Sequence, residues 1–482
     1  MRTMSCLRHL PRVHEAGTMG NGAVRREPSG APRQQVNVRP CRGRHRAVHK
    51  RTGGQEPLAH SGTSLECEHF DSCSGCSISD GLDKPPMAQT AAEFFASRGI
   101  DNFDVTLDAP CKWRCRAKLA VRASKHDGSV QIGLFRQGTH DVVSIPNCRV
   151  HHPRINEAVL LIERIARQLN VTPYDEVSGS GDLRYIQLTA SARTYAATPH
   201  QAQHDPFASV QVALVWNCPP EEFEKGSSGS VHSLLSLAAA LWHVSNGPAG
   251  TAPLLHSVWA NFNVTRGNLI LGREWELLHG DRYLWQHFAG ADVCFSPGSF
   301  AQVNFATMDI CLSRMQQWVP EGAAVVEFHA GVGCIGLSLA ASRACASVTG
   351  VEVNPTTLDP YLMAKERMLQ ASLGSGGQLP VLELKVMSAG CDPLTTLKGA
   401  DVVVMDPPRK GVEPELMQAL LDVEKHNVET VIYLSCGFHS FMCDFDKLVG
   451  GAGLWRAVHV EGFIFFPGAD HIETLAVFRR TV

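Results

Sequence analysis

"AAVVEFHAGVGCIGLSLAAS", residues 323–342, reads as a buried strand, a glycine-rich turn (Gly331, Gly333, Gly336) and a helix. "SVTGVEVNP" (347–355) follows as a second strand ending at Glu352, seventeen residues beyond Ile335. A carboxylate there can grip a ribose diol, and the glycines let the backbone approach a ligand. That pairing suits either a dinucleotide or S-adenosylmethionine. From residue 291 onward strands and helices alternate, the pattern of a doubly wound parallel sheet, so residues 291–482 are expected to form an α/β, Rossmann-like domain.

"DVVVMDPPRKGVEP" (401–414) continues the alternation with an apolar run that stops at Asp406-Pro407-Pro408. Prolines placed where the ladder ends rigidify a loop at the sheet's carboxyl edge. Enzymes that methylate planar nitrogen or carbon centres hold a base with such a loop, which favours S-adenosylmethionine over a dinucleotide. "VIYLSCGFHSF" (431–441) is the next strand, and it delivers Cys436 to the same edge. A pyrimidine carbon 5 becomes nucleophilic once a thiolate adds at carbon 6, and a general base must afterwards remove the carbon 5 proton. In the last strand, "GADHIETLAVFRR" (468–480), Glu473 is the candidate base, because desolvation among apolar neighbours raises its basicity.

The chain of 482 residues is long enough for two or three domains. No apolar run approaches the ~20 residues needed to cross a bilayer, so no membrane partner is expected. The first sixty residues carry twelve Lys/Arg against three acids, leaving 32 basic and 44 acidic residues beyond them. Residues 1–60 therefore read as a disordered basic segment resembling an organellar transit peptide, the alternatives being a basic RNA-binding arm or a misplaced start codon. A polyanion has to be held by local patches, since the body is acidic.

Residues 61–290 read as a second, mostly β or α+β domain: "KLAVRAS", "SVQIGLFRQG", "YIQLTAS", "VQVALVWN", "HSVWANFNV" and "NLILG" are strand-like, with one helix over 230–244. In "CKWRCRAKLAVR" (111–122), Lys112, Arg114, Arg116 and Lys118 fall on one face at strand period, a basic stripe able to contact phosphates. "SGTSLECEHFDSCSGCSISD" (61–80) spaces Cys67, Cys73 and Cys76 as C-x5-C-x2-C, and Cys148 in "SIPNCRVHHP" is a fourth candidate ligand. Four thiolates suit an iron–sulfur cluster or a structural zinc ion, and three clustered Cys with one remote favour the cluster. Sixteen Cys without a hydrophobic signal segment argue for reduced thiols or metal ligands.

With these motifs in this order, residues 67–482 resemble the RNA (uracil-5-)-methyltransferases, with the nearest likeness to their plant and algal organellar branch. The motifs that carry the likeness are the three-plus-one cysteines, "FSPGSFAQVN" (295–304), the glycine turn with Glu352, "DPPRKG", Ser435-Cys436 and "HIETLAVF". The resemblance implies a [4Fe–4S] cluster on Cys67, Cys73, Cys76 and Cys148, and S-adenosylmethionine contacts from Gln302, Phe328, Gly331, Gly333, Glu352 and Asp406. It also implies Cys436 as nucleophile, Glu473 as base, and tRNA or rRNA as substrate. A monomer is expected, in a chloroplast or mitochondrion or otherwise the cytoplasm.

The chain departs from the family pattern at several positions. Many members read Ser-Cys-Asn-Pro where this chain has Ser435-Cys436-Gly437-Phe438, many have a Cys in the glycine turn near His329-Ala330-Gly331, and "LELKVMSAG" (382–390) lacks the usual acid after the third strand. The amino-terminal RNA-binding barrel of some members has no counterpart in the pattern of residues 1–60. The alternatives are an RNA-binding or folding factor that keeps the fold without turnover, and a 5-methylcytidine enzyme, although those usually carry a Cys where this chain has Arg409.

Overall fold

A computed structural model describes residues 63–191, 205–226, 228–245, 253–375, 380–450 and 453–481. The basic segment over 1–60, and with it the transit-peptide and missing-barrel readings, lies outside them. In chain order, α1 (Pro86–Ala96) and β1 (Asp104–Thr106) precede β2 (Arg116–Ala123), β3 (Val130–Phe135), β4 (Val142–Ser144), α2 (Pro153–Gln168), β5 (Leu183–Ser191), β6 (Ser209–Trp216), α3 (Pro220–Lys225), α4 (Gly229–Ser245), β7 (Leu255–Phe262) and β8 (Glu274–Gly280). A hairpin of β9 (Leu284–Phe288) and β10 (Ala291–Phe295) comes next. The remainder alternates: α5 (Phe305–Gln316), β11 (Ala324–Phe328), α6 (Cys334–Ser342), β12 (Ser347–Glu352), α7 (Leu358–Ser375), β13 (Val381–Val386), α8 (Pro393–Leu397), β14 (Val402–Met405), α9 (Pro414–Leu421), β15 (Thr430–Ser435), α10 (Phe438–Val449), β16 (Trp455–Phe463) and β17 (Glu473–Arg480).

Strands β2 to β8 form one sheet in the order β4-β3-β2-β5-β6-β7-β8, antiparallel except where β6 meets β7. Helices α2 and α4 cover one face, burying Ile155, Ile162, Leu234 and Leu241 against Leu119, Ile186, Leu188 and Leu214. "NLILG" is not a strand. The side chain of Asn263 donates to the carbonyls of Leu269 and Ile270, and Asn261 donates to that of Gly272, so this segment's backbone is satisfied by side chains instead of a ladder.

The second sheet runs β1-β16-β17-β15-β14-β11-β12-β13, with β11 to β15 parallel and β17 inserted antiparallel between β15 and β16. Period two divides its side chains. Val325, Val402, Val404, Ile432 and Leu434 face α5, α6 and α7, whereas Val326, Phe328, Met405, Val431 and Tyr433 face α1, α9 and α10. The amino-terminal α1 and β1 belong here although they precede the other sheet in sequence: β1 pairs parallel with β16, and Phe94 and Phe95 pack edge-on against Phe438 and Phe445. Each such buried ring contributes ~1.5–3 kcal/mol by burial. The two sheets meet across the segment 296–304, which leads from the hairpin into α5. No helix among the described residues is long and apolar enough to cross a membrane.

Candidate active site

A cavity of about 630 Å³ lies at the carboxyl ends of the parallel strands, within the range usual for small-molecule sites. The β11–α6 turn forms one wall. Glu352, ending β12, accepts from the Gly331 amide at 2.8 Å and from the Asn354 amide at 2.7 Å, which fixes its carboxylate at the rim. Gly336 lets α6 approach the sheet, since a Cβ there would lie 2.5 Å from Glu327 Oε2 and 2.8 Å from Val348. The Gly336 amide instead donates to that carboxylate at 2.9 Å. Burial pushes Glu327 up to about 8, so it is held neutral under the turn. From the end of β13 the cavity receives Ser388 and Ala389, not a carboxylate.

Asp406, Cys436 and Glu473, from the ends of β14, β15 and the start of β17, line the same cavity. Cys436 lies at the end of β15, its thiol 3.8 Å from the carbonyl oxygen of Pro407. Glu473 opens β17 at 1% exposure, and its Oε2 has no hydrogen-bond partner. Burial holds Glu473 well above the carboxylate range, with Asp406 adding repulsion and Arg409 opposing it. Asp406 is pushed up to about 7 by burial. The Cys436 thiol is pushed up to about 12 by burial, then by the charges of Glu473 and Asp406, against a smaller pull from Arg409. All three groups are thus held toward their protonated forms, and a cationic ligand in this cavity would relieve the repulsion.

Gly437 explains one departure from the family pattern. A Cβ at 437 would stand 2.7 Å from the Arg409 carbonyl oxygen, so the Asp-Pro-Pro-Arg loop passes over the position where a side chain would project. That loop is tied down by Asp444 of α10, which accepts from the Val412 amide at 2.9 Å and from the Tyr433 hydroxyl at 3.1 Å.

Gln302 lines the cavity beside Phe300, on a segment held from the other sheet. Arg116 is buried and donates to the carbonyls of Pro297 (2.6 Å) and Ser299 (2.7 Å), while Gln187 also donates to Pro297 at 2.8 Å. The expected basic stripe therefore does not exist as a surface. Lys112 and Lys118 are exposed, but Arg116 is spent on the 296–304 segment, and Arg114 lies over Trp113, its guanidinium 4.8 Å from the ring. Period two applies only within β2, which begins at Arg116.

Of the residues expected to contact a methyl donor, Gln302, Gly331, Glu352 and Asp406 share this cavity. Phe328 does not line it and is buried in the core that faces α1 and α9. Gly333 caps α6 with φ +79°, where a Cβ would strike Tyr361 at 2.7 Å. His329, Arg409, Glu413 and His471 also line the cavity. His329 stands at φ +63° with Nε2 2.8 Å from Glu413. His471 lies in the turn two residues before Glu473, which opens β17, and its nearness to Glu473 in the chain is the only sequence signal for it.

Cys67, Cys73, Cys76 and Cys148 line a separate cavity of about 190 Å³ together with Arg114 and His151. Among the described residues no three His, Cys, Asp or Glu side chains converge closely enough to hold a single metal ion. The thiols surround a shared space, and burial with mutual repulsion raises Cys76 to about 12.

No family model matches the chain. It is 35% identical over 426 residues to an uncharacterized RNA methyltransferase of Protochlamydia amoebophila, covering 86% of this chain and 98% of that protein. It is 26% identical over 373 residues to an uncharacterized RNA methyltransferase of Enterococcus faecalis, covering 77% of this chain and 72% of that one. Both relatives are bacterial, and neither speaks for an organellar branch. Among solved structures, that of Pyrococcus abyssi tRNA (uracil-54, C5)-methyltransferase in complex with S-adenosyl-L-homocysteine shares the fold, with a TM-score of 0.61 at 20% identity over 84% of this chain and 86% of that one. Full-length similarity to the Protochlamydia protein and an α/β sheet with a cavity at its carboxyl edge lead to one conclusion: this chain belongs to the RNA methyltransferases.

Proposed function

We propose that this protein methylates carbon 5 of a uridine in structured RNA, tRNA or rRNA, using S-adenosylmethionine and a transient bond to Cys436. The observation that carries the reading is the sharing of one cavity by Cys436, Asp406 and Glu473 with Gln302, Gly331 and Glu352. The Pyrococcus enzyme, named for uracil C5 methylation and solved with S-adenosylhomocysteine, supports it through a common fold.

The donor fits the residues present: Glu352 is fixed where a ribose diol can be gripped, and Gly331 leaves open space beside it. When bound, S-adenosylmethionine supplies an electrophilic methyl on a cationic sulfonium. With the sulfonium's charge offsetting the repulsion and the thiol and carboxyl protons released to solvent, the Cys436 thiolate would add to carbon 6 of the uracil, and the displaced π-electrons make carbon 5 the nucleophile that takes the methyl, with S-adenosylhomocysteine as leaving group. Glu473 then removes the carbon 5 proton. The freed electron pair restores the 5,6 double bond, the carbon 6–sulfur bond breaks, and the thiolate returns.

The reading of a [4Fe–4S] cluster over zinc rests on the spacing of the four thiols, three clustered and one remote, which line one cavity. Cys67, Cys73, Cys76 and Cys148 would hold it, outside the sheet that carries the chemistry.

The test is to incubate the purified protein with S-adenosylmethionine and tRNA or rRNA transcripts and to quantify 5-methyluridine and 5-methylcytidine by nucleoside mass spectrometry. RNA containing 5-fluorouridine should in parallel give a covalent complex, because fluorine cannot leave as a proton does. Formation of 5-methylcytidine alone, or RNA binding with neither product nor adduct, overturns the reading.

A further inference from the structure

The turn between β16 and β17, residues 464–472, delivers His471 and Glu473 to the cavity, yet its fixed points lie on another part of the chain. The amides of Ser77 and Ile78, immediately after Cys76, both donate to the carbonyl oxygen of Gly468, at 2.7 and 3.0 Å. Gly468 stands at φ +94°, and a Cβ on it would lie 3.2 Å from Cys76 Sγ and 3.5 Å from Cys76 Cβ. Two residues further on, the Asp470 amide approaches Ser77 Oγ at 3.4 Å, and Asp470 Oδ1 accepts from the Met87 amide at 2.7 Å, at the start of α1. Phe466 of the same turn meets Trp113 edge-on at 6.0 Å on one side and His471 at 4.9 Å on the other.

The segment that supplies these contacts has almost no regular structure. Residues 63–80 form neither helix nor strand, only an isolated bridge from Cys73 to Arg136. What packs beneath it is a small cluster of Leu65, Leu82, Trp113 and Val150, against which Cys67, Cys76, Cys148 and Phe466 rest. The segment's backbone is tied by scattered bonds, from the amides of Leu65, Ser74 and Leu82 to the carbonyls of Ser79, Phe135 and Thr63, so no ladder sets where Ser77 and Ile78 stand.

From these contacts, and resting on the proposed roles of Cys436 and Glu473, we propose that the cysteine segment is a positioning element for the catalytic turn. By clamping Gly468, Ser77 and Ile78 set where His471 and Glu473 stand relative to Cys436. Gly468 and Cys76 are thus positioning residues that act on proton removal and thiolate release, late in the reaction. Among the described residues, the proposed donor contacts Gly331 and Glu352 share no hydrogen bond with Ser77, Ile78 or Gly468, being tied instead to each other and to Asn354, so donor binding should be largely spared.

Two variants test this, Gly468→Ala and Cys76→Ser, beside Glu473→Gln as reference. A displaced turn should slow turnover about tenfold or more, since a misplacement of about 1 Å can cost on the order of 10²-fold. A covalent protein–RNA band should build up on denaturing gels with ordinary uridine RNA, while binding of S-adenosylhomocysteine, measured by calorimetry, stays roughly unchanged. Should Cys76→Ser fail to fold, Gly468→Ala, which leaves every thiol in place, decides the matter. The proposal is overturned if Gly468→Ala turns over normally, or if it loses activity and S-adenosylhomocysteine binding together with no adduct. An adduct in Glu473→Gln but none in Gly468→Ala rejects the coupling alone. Normal turnover of Glu473→Gln rejects the role of Glu473 and the coupling with it.

Discussion

His471 Nε2 lies 2.8 Å from the backbone carbonyl oxygen of Cys436, joining the turn before β17 to the end of β15. A carbonyl oxygen can only accept, so Nε2 carries the proton. Burial lowers the imidazole's pKa, which favours this neutral donor form. The two chain segments that carry the proposed nucleophile and base are therefore held to each other directly, within one cavity.

In the proposed reaction Cys436 and Glu473 act at different steps, and their loss should leave different products. Cys436→Ala should give neither methyl transfer nor an RNA adduct. Glu473→Gln should still add and methylate, then strand the base on the enzyme, with turnover reduced about 10²–10⁴-fold. Methyl transfer assays and denaturing gels read both. Wild-type methylation by Cys436→Ala removes the thiol from the mechanism.

Restoring the residue common in the family at 437 should harm this protein. Gly437→Asn would press a Cβ against the Arg409 carbonyl from 2.7 Å, forcing the loop or α10 to move at a cost of ~1–3 kcal/mol. A lowered melting temperature and a lower kcat are expected. An unchanged melting temperature would show that the loop yields freely.

The pH dependence of stability should carry the signature of Glu327. Its carboxyl titrates near 8 when folded, raised by burial from the ordinary value of 4.5. The folded state binds the proton more tightly, so the contribution to stability is full below about pH 4.5 and is lost as pH rises through 8. Glu327→Gln removes that loss. Without ligand it should gain stability over the wild type between pH 5 and 8, by up to a few kcal/mol at ~1.4 kcal/mol per pH unit. Parallel melting curves for the two proteins across that range would contradict a neutral Glu327.

Arg116 and Lys118 should behave oppositely. Arg116→Ala strands the buried carbonyl of Ser299, at ~1–3 kcal/mol, leaves that of Pro297 to Gln187 alone, and loosens the segment that carries Gln302. Melting temperature and S-adenosylhomocysteine affinity should fall, with little change in the salt dependence of RNA binding. Lys118→Ala should leave both intact. If it contacts a phosphate, the salt slope drops by about one. A salt-slope change in Arg116→Ala without loss of stability would restore the phosphate reading.

Purified without oxygen, the protein should be brown and contain iron and acid-labile sulfide, and Cys148→Ser should lose both. Stoichiometric zinc without iron would instead assign the four thiols to a structural ion.

The alternation of strands and helices after residue 291, the glycine turn with Glu352, and the placing of Cys436 and Asp406 at strand ends were legible in the sequence, because each depends on local periodicity and on residues adjacent in the chain. The same local logic failed for the basic stripe and for "NLILG". Whether Arg116 faces water or the carbonyls of Pro297 and Ser299 depends on a segment some 180 residues away, and Asn261 and Asn263 satisfy their neighbours' carbonyls only because β7 holds them there. Tertiary structure alone decided that α1 and β1 complete the second sheet, that Phe328 turns from the cavity, and that the residues after Cys76 grip the turn before Glu473. These contacts join positions hundreds of residues apart, and no period or spacing along the chain encodes which surfaces meet when two sheets pack.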